Sequence, residues 1–290
     1  MEFNYSALVK KSWKDAWKNK LLWLFGIFIA SGVEGINYRD SFDLQAMQTE
    51  AFSWTQSGIP RGAYLVITVV GIILLIVFFI LSIIATSAII KGVANVGTGA
   101  KNKFKELWKL GVERFWKIFA LELIVALAVL VLMAPALLIF LGVGWLSIVV
   151  MIWILLVIIG LVAIGNFMYY ILGYAIIDNK DIKESILFGW KLFANNLKIS
   201  ILVSLISLGL AIAFALGLAL AVVIALIPFV LLGFLLGLAG PLGALIAGIL
   251  AALVVLALVL AARGLMNTFL YSLGVYTFME LTERSVLKGK

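Results

Sequence analysis

The chain has 290 residues, 65% of them hydrophobic and 12% charged, with a formal charge of +8 and neither cysteine nor histidine. A soluble domain is about half apolar and a quarter charged, so this composition excludes one and points to a polytopic membrane protein. The missing residue types exclude disulfide frameworks and thiolate chemistry and remove the commonest metal ligand and general base, so no cofactor or metal is expected.

Residues 5 to 18 read as an amphipathic helix. Tyr5, Leu8, Val9, Trp13, Ala16 and Trp17 fall on one side, and Lys10, Lys11, Lys14, Asp15 and Lys18 on the other. No short apolar core with a small-residue cleavage site is present at the start of the chain, which is therefore expected to be retained. An apolar run follows at about 21 to 33. Crossing the hydrocarbon takes roughly 20 helical residues, so this run crosses only by borrowing residues at its ends or by thinning the bilayer. A polar stretch from Glu34 to Arg61 comes next and is expected outside.

Further apolar runs lie at about 62 to 92, 118 to 143, 145 to 177, 198 to 227 and 242 to 279. They are continuous, not alternating, which excludes a strand barrel. Of the 22 lysines and arginines, nineteen fall in segments 1–20, 91–117, 180–198 and 284–290, which share one side if each gap holds two spans. Arg39 and Arg61 fall on the other side, so both termini are expected in the cytoplasm. The remaining external links, near 142 to 145 and 228 to 241, carry no charge and are expected to be tight or partly embedded.

The basic amphipathic pattern recurs. "SWKDAWKN" at 12 to 19, "LWKLGVER" at 107 to 114 and "GWKLFANN" at 189 to 196 make Trp13–Lys14, Trp108–Lys109 and Trp190–Lys191 equivalent. Each segment reads as an interfacial helix in the cytoplasmic headgroups, with a bend at Asn or Arg before the next span. The tryptophans suit headgroup depth and the lysines reach phosphates, which makes membrane lipids with anionic headgroups the expected partner. Because the positive charge is dispersed between apolar runs, nucleic acid is not expected. The expected fold is an all-α integral membrane protein with six transmembrane helices in three helical-hairpin repeats, each preceded by a cytoplasmic interfacial helix. The units lie at about 1–92, 100–177 and 182–280 of a single membrane domain.

The segment "YAIIDNKDIKESILFGWKLFANNLKISI", 174 to 201, resembles a broad family of bacterial and archaeal membrane proteins. In some of its members this membrane domain accompanies a glycerophosphodiester phosphodiesterase. The likeness rests on the turn from Ala175 to Asp178, on Ser185 with Trp190-Lys191-Leu192, and on Asn195-Asn196; a weaker echo covers 87 to 111. It implies a six-helix membrane domain in a prokaryotic inner membrane, without the phosphodiesterase domain, and carries over no catalytic residue.

The spans hold few groups for chemistry. Glu122 is the one carboxylate inside a span, so paired-carboxylate catalysis has no second member and the chain is not expected to be an enzyme. "NVGTGAK" at 95 to 101 reads as a flexible turn. Gly209, Gly217, Gly240, Gly243 and Gly248 read as packing positions. Glu122, Asn166, Arg263 and Asn267 are the candidates for an intramembrane polar site, with Arg263 facing other helices and Glu122 as its acidic partner. The competing reading has Glu122 pairing near the surface with Lys117, and Arg263 snorkelling to the inner headgroups. The last span either ends near residue 262, with a surface helix after it, or runs on to Glu280. The expected function is a noncatalytic lipid-interacting or partner-organising module; the alternative is a transporter or channel for a small or lipid-like solute, with Pro135 and Pro228 marking broken helices.

Overall fold

The structure is a computed structural model and describes residues 3–29, 61–134, 147–237 and 240–288. The stretch expected outside at 34 to 60, the link at 142 to 145, and Pro135 lie outside the described residues. All regular elements among those described are helices: α1 (Tyr5–Lys18), α2 (Lys20–Phe28), α3 (Arg61–Gly97), α4 (Phe104–Glu113), α5 (Phe115–Met133), α6 (Ser147–Ile176), α7 (Ile182–Asn195), α8 (Leu197–Gly237) and α9 (Pro241–Lys288). Among the described residues, four stretches are long and apolar enough to cross a bilayer: Val66–Gly97, Phe115–Met133, Leu197–Gly237 and Leu242–Glu283. The first apolar run is short as a helix too, since α2 has 9 residues, about 13 Å of rise.

Each amphipathic segment forms a helix that breaks six residues past its tryptophan, at Asn19, Arg114 and Asn196. Two of the breaks are chemically alike. The side-chain amides of Asn19 and Asn196 donate back to the carbonyls of Asp15 (2.8 Å) and Leu192 (3.0 Å), four residues earlier, and the Asp15 carbonyl also accepts from the Asn19 backbone N–H. The chain then enters α2, α5 and α8 at a new angle.

α1 packs on α9, α4 on α3 and α7 on α6; α3, α6 and α9 also touch one another. Between them, α2 packs on α3 and α9, α5 on α3 and α6, and α8 on α6 and α9. The main core lies at the end of the bundle that carries the basic helices. It includes Leu22, Phe25, Ile83, Ile89, Ile90, Ile118, Leu121, Tyr170, Ile171, Leu273 and Phe278. Four buried serine and threonine hydroxyls return to their own helix. Ser87, Thr268, Ser272 and Thr277 each donate to the carbonyl four residues back, so they are buried without needing a partner helix.

Two expectations are corrected, and one choice left open, the end of the last span, is decided. The fifth run does not stop at 227: α8 continues through Pro228 to Gly237, because an apolar surrounding holds the other backbone bonds in place around one missing N–H. The chain then reverses at Gly240, whose φ is +132, so that Gly243 is seated against the Leu236 backbone. Past residue 262 no surface helix breaks away, since α9 is one helix of 48 residues. A side chain at Gly209, Gly217 or Gly248 would meet nothing within 4 Å, so these are not packing positions; the close contacts fall at Gly26 with Gly264, Gly111 with Ile84, Gly173 with Phe278 and Gly274 with Tyr169.

Candidate functional site

The basic end carries the first candidate surface. α1 buries Leu8, Ser12 and Ala16, α4 buries Leu107 and Gly111, and α7 buries Ser185, Gly189, Leu192 and Phe193. In each helix the residue before the tryptophan and the residue three after it are buried, which leaves the tryptophan at the edge of the contact. Trp13 is 41% and Trp190 57% exposed, and Lys14, Lys109 and Lys191 are all exposed. Trp108 is more covered, because Phe104 stacks on it at 5.8 Å and on Phe25 of α2 at 5.0 Å. Periodicity alone had put Trp13 and Trp17 with Leu8 on one apolar side. The structure divides that side into a strip seated on α9 and an aromatic strip left outward. α1 is also less uniformly polar on its far side than expected, because α9 runs past it and supplies Tyr276. The Tyr276 hydroxyl donates to Asp15 Oδ2 at 2.8 Å, and Lys11 Nζ sits 4.4 Å from the ring centroid.

The links between these elements are short polar turns. α3 ends at Gly97, and Gly99 takes a φ of +78 within "NVGTGAK". This is the carbonyl end of a helix, the wrong end for a phosphate. Asn179, at φ +56, turns the chain after α6 so that the Lys180 N–H reaches the Tyr174 carbonyl at 3.0 Å. Beside it, burial raises the Asp178 carboxyl above its usual range, against the opposing pull of Lys180. Arg114 and Lys117 both donate to the Ala175 carbonyl, at 2.6 and 3.3 Å, placing two cations on the C-terminus of α6. The described ion pairs are Lys103–Glu106, Lys109–Glu113 and Lys180–Glu184, all on or beside the short helices. The first raises the Lys103 ammonium above its ordinary value through its hydrogen bond to Glu106.

The four interior candidates fall in three places. Arg263 and Asn267 come together at the end of α2. There the Arg263 guanidinium donates to the Ile29 carbonyl at 2.9 Å, and the Asn267 amide donates to Gly26 (2.7 Å) and Ile29 (3.3 Å). These carbonyls end a helix, so a cation and an amide satisfy acceptors that have no partner within it. The approach depends on Gly26 and Gly264, whose backbones meet where α2 crosses α9. Asn166 serves a second crossing, donating to the Ser200 carbonyl and the Ser204 hydroxyl of α8, both at 2.7 Å. Beside it, the Tyr170 and Ser200 hydroxyls share a bond of 2.9 Å.

Glu122 occupies the third place. Its electrostatic neighbour on α9 is Tyr271, which lies eight residues, or about 12 Å of helix, from Arg263. Tyr271 meets Tyr169 edge to face at 5.1 Å and has Thr86 beside its hydroxyl. The structure therefore brings Arg263 and Asn267 together but sets both Asn166 and Glu122 apart from them.

The sequence reasoning missed Tyr169, Tyr170, Tyr271 and Thr86 and the Gly26–Gly264 crossing. A signal was there: Asn-x-x-x-Tyr-x-Leu-Gly occurs at 166 to 173 and again at 267 to 274. In both copies the asparagine bonds to the first helix after a basic amphipathic segment, α8 or α2. Among the described residues no group of three or more Asp and Glu is placed to hold a metal ion. Searches of family models, curated proteins and solved structures find no match to this chain.

Proposed function

We propose that this protein is a noncatalytic membrane module that gathers anionic lipid around its basic end. One observation carries the reading. Three short helices seat a small or apolar strip on three different long helices and leave Trp13–Lys14, Lys109 and Trp190–Lys191 facing out. A tryptophan edge beside exposed ammonium groups suits phospholipid headgroups, where the ring body is shielded and the cation meets phosphate.

The proposed architecture is six spans in three units, at about 1–92, 100–177 and 182–280, with both termini and all three short helices in the cytoplasm of a prokaryote. Its support is the order of contacts: each short helix packs on the last long helix of the preceding unit, and α1 packs on α9 as if the third unit preceded the first. Units so related close into a ring about an axis along the membrane normal. The likeness of 174 to 201 to the phosphodiesterase-associated membrane family agrees with this reading.

The test is reconstitution in vesicles of phosphatidylcholine with a minor fraction of phosphatidylglycerol, reading the lipid retained around the protein. Enrichment of phosphatidylglycerol that falls in K14Q/K109Q/K191Q supports the proposal, and equal retention of the two lipids rejects it. Topology is read separately by single cysteines. Ser6→Cys and Ala194→Cys should label from the cytoplasmic side and Ser53→Cys from outside.

The alternative, transport of a small or lipid-like solute, draws on the meeting of Glu122, Tyr271, Tyr169 and Thr86 from four helices. Saturable solute flux in the same vesicles would put it first.

A further inference from the structure

The three places where a short helix meets its long helix are filled differently. At α7, Trp190 packs on Phe193 of its own helix and Phe167 of α6, with centroids 6.1 and 5.9 Å away, and Phe167 meets Phe193 at 5.9 Å. At α4, the stack of Phe25, Phe104 and Trp108 covers the junction. At α1 the position matching Phe193 is Ala16, and Trp13 has one ring of α9 against it, Phe269 at 5.4 Å. The other rings of this junction, Trp17 at 5.9 Å from Trp13 and Trp23 of α2 at 5.6 Å from Trp17, do not line the space between α1, α8 and α9. What remains is an apolar cavity of about 310 Å³ between α1, α8 and α9, lined by Val9, Trp13, Leu210, Phe214, Met266 and Phe269.

We infer that this cavity holds an acyl chain of one anionic phospholipid, whose phosphate lies on Lys10 and Lys14; the inference rests on the proposed lipid-gathering role and gives it a defined site. The volume is at the lower edge of small-molecule pockets, which suits one chain and leaves no room for a whole lipid. The walls offer almost no hydrogen-bonding group, so the occupant's buried part is hydrocarbon. Its exposed end meets positive charge. On the α1 wheel Lys10 and Lys14 follow Trp13 on one side, about 60° and 100° round from it and turned from α9, both exposed and in no ion pair among the described residues. Lys11 points elsewhere, over Tyr276, and Asp15 is held by the Tyr276 hydroxyl, so the one carboxylate of α1 is drawn away from this edge. An apolar slot beneath two free ammonium groups and an indole matches an anionic phospholipid in chain, interface and charge.

The experiment is native mass spectrometry of the purified protein titrated with phosphatidylglycerol and with phosphatidylcholine. Wild type should retain one phosphatidylglycerol about thirtyfold more tightly than phosphatidylcholine, from two lysines near the headgroup. Ala213→Trp, at an exposed position of α8 lining the cavity, should remove that one tight lipid; Ala213→Val, a smaller filling, serves if the first variant does not fold. K10Q/K14Q should keep the bound lipid but erase most of the preference. A tight phosphatidylglycerol unaffected by both Ala213→Trp and K10Q/K14Q overturns the site. If its preference is then lost in K109Q/K191Q, the wider lipid-gathering role stands without the site. No preference in wild type overturns both.

Discussion

From Ile83 to Ile90 every residue of α3 is buried, whereas from Val66 to Ile80 every residue of the same helix is exposed. α9 divides in the same way: residues 272 to 278 are all buried, while Leu245, Ile249, Leu253 and Leu256 are more than half exposed. The exposed half is the more apolar one, since 272–278 carries Ser272, Gly274 and Thr277 while 245–256 has only Gly248 outside the apolar types, so hydrophobicity does not explain the division. In a bilayer an isoleucine gains little by leaving lipid for a neighbouring helix, and association needs close backbone approach and interhelical hydrogen bonds. Most of those devices lie in the basic half: the Gly26–Gly264 crossing, the amides of Asn166 and Asn267, and the guanidinium of Arg263. The far half has fewer, among them the Trp153 indole donating to the Leu132 carbonyl at 3.0 Å and the approach of Gly243 to Leu236 at a turn. The far half is left exposed.

The comparison breaks most readily at the glycine crossing. A side chain at Gly264 would strike the Trp23 carbonyl and the Ile27 side chain, whereas one at Gly248 meets open space. Gly264→Leu is expected to cost about 3 kcal/mol or more by forcing α2 from α9, and Gly248→Leu close to nothing. Thermal unfolding of both variants in detergent measures the difference, and equal melting temperatures would remove the distinction between the halves.

A smaller effect comes from deleting methyl groups on one helix. Ile89 is 0% and Leu75 71% exposed. Ile89→Ala should cost about 2 kcal/mol, mainly through the cavity it leaves, and Leu75→Ala under about 0.5 kcal/mol. The pair is best compared by denaturant titration in the same micelle, where a larger loss at Leu75 would show that the far half is packed.

Asn267→Leu should in turn cost about 1.5 kcal/mol, near the upper end for a hydrogen bond between membrane helices, because it strips a partner from the carbonyl end of α2. Asn166→Leu should cost less. The Ser200 carbonyl it serves lies in the first turn of the long helix α8, where it also accepts from the backbone ahead of it, so of its two acceptors only the Ser204 hydroxyl loses its donor. Equal losses would mean that the two asparagines do the same work despite their different acceptors.

What was legible in the sequence was local. Breaks at Asn19, Arg114 and Asn196 and the three short helices follow from polar residues at a fixed distance from a tryptophan and from apolar residues at helical spacing. What was not legible was which side of each apolar run is buried. A helix that is apolar all round has no sided pattern, so the sequence offers no sign that Gly264 meets a helix and Gly248 does not. The same blindness paired Arg263 with Glu122. That expectation ranked partners by charge, and the uncharged carbonyls at the end of α2, which have no side-chain signature, were left out of the ranking.

The smallest expected effect tests that last point. If Arg263 and Glu122 acted as a pair, R263M and E122Q would each leave a buried charge without its partner, and the double variant would recover much of the loss. Their neighbours are instead different: Arg263 and Asn267 hold the Ile29 carbonyl, while Glu122 lies by Tyr271, about two turns along α9. Substitutions at separated sites without shared partners add to within about 0.5 kcal/mol. R263M is therefore expected to destabilise by loosening the α2 end, E122Q to act independently on the tyrosine group, and R263M/E122Q to show their sum. A coupling term above about 1 kcal/mol in thermal or denaturant unfolding would join the two places into one interior site and bring the transport reading forward. R263M should also be strongly coupled to Asn267→Leu, because both side chains donate to the same Ile29 carbonyl. A cycle with coupling at Asn267 and none at Glu122 is the outcome the α2 carbonyls require.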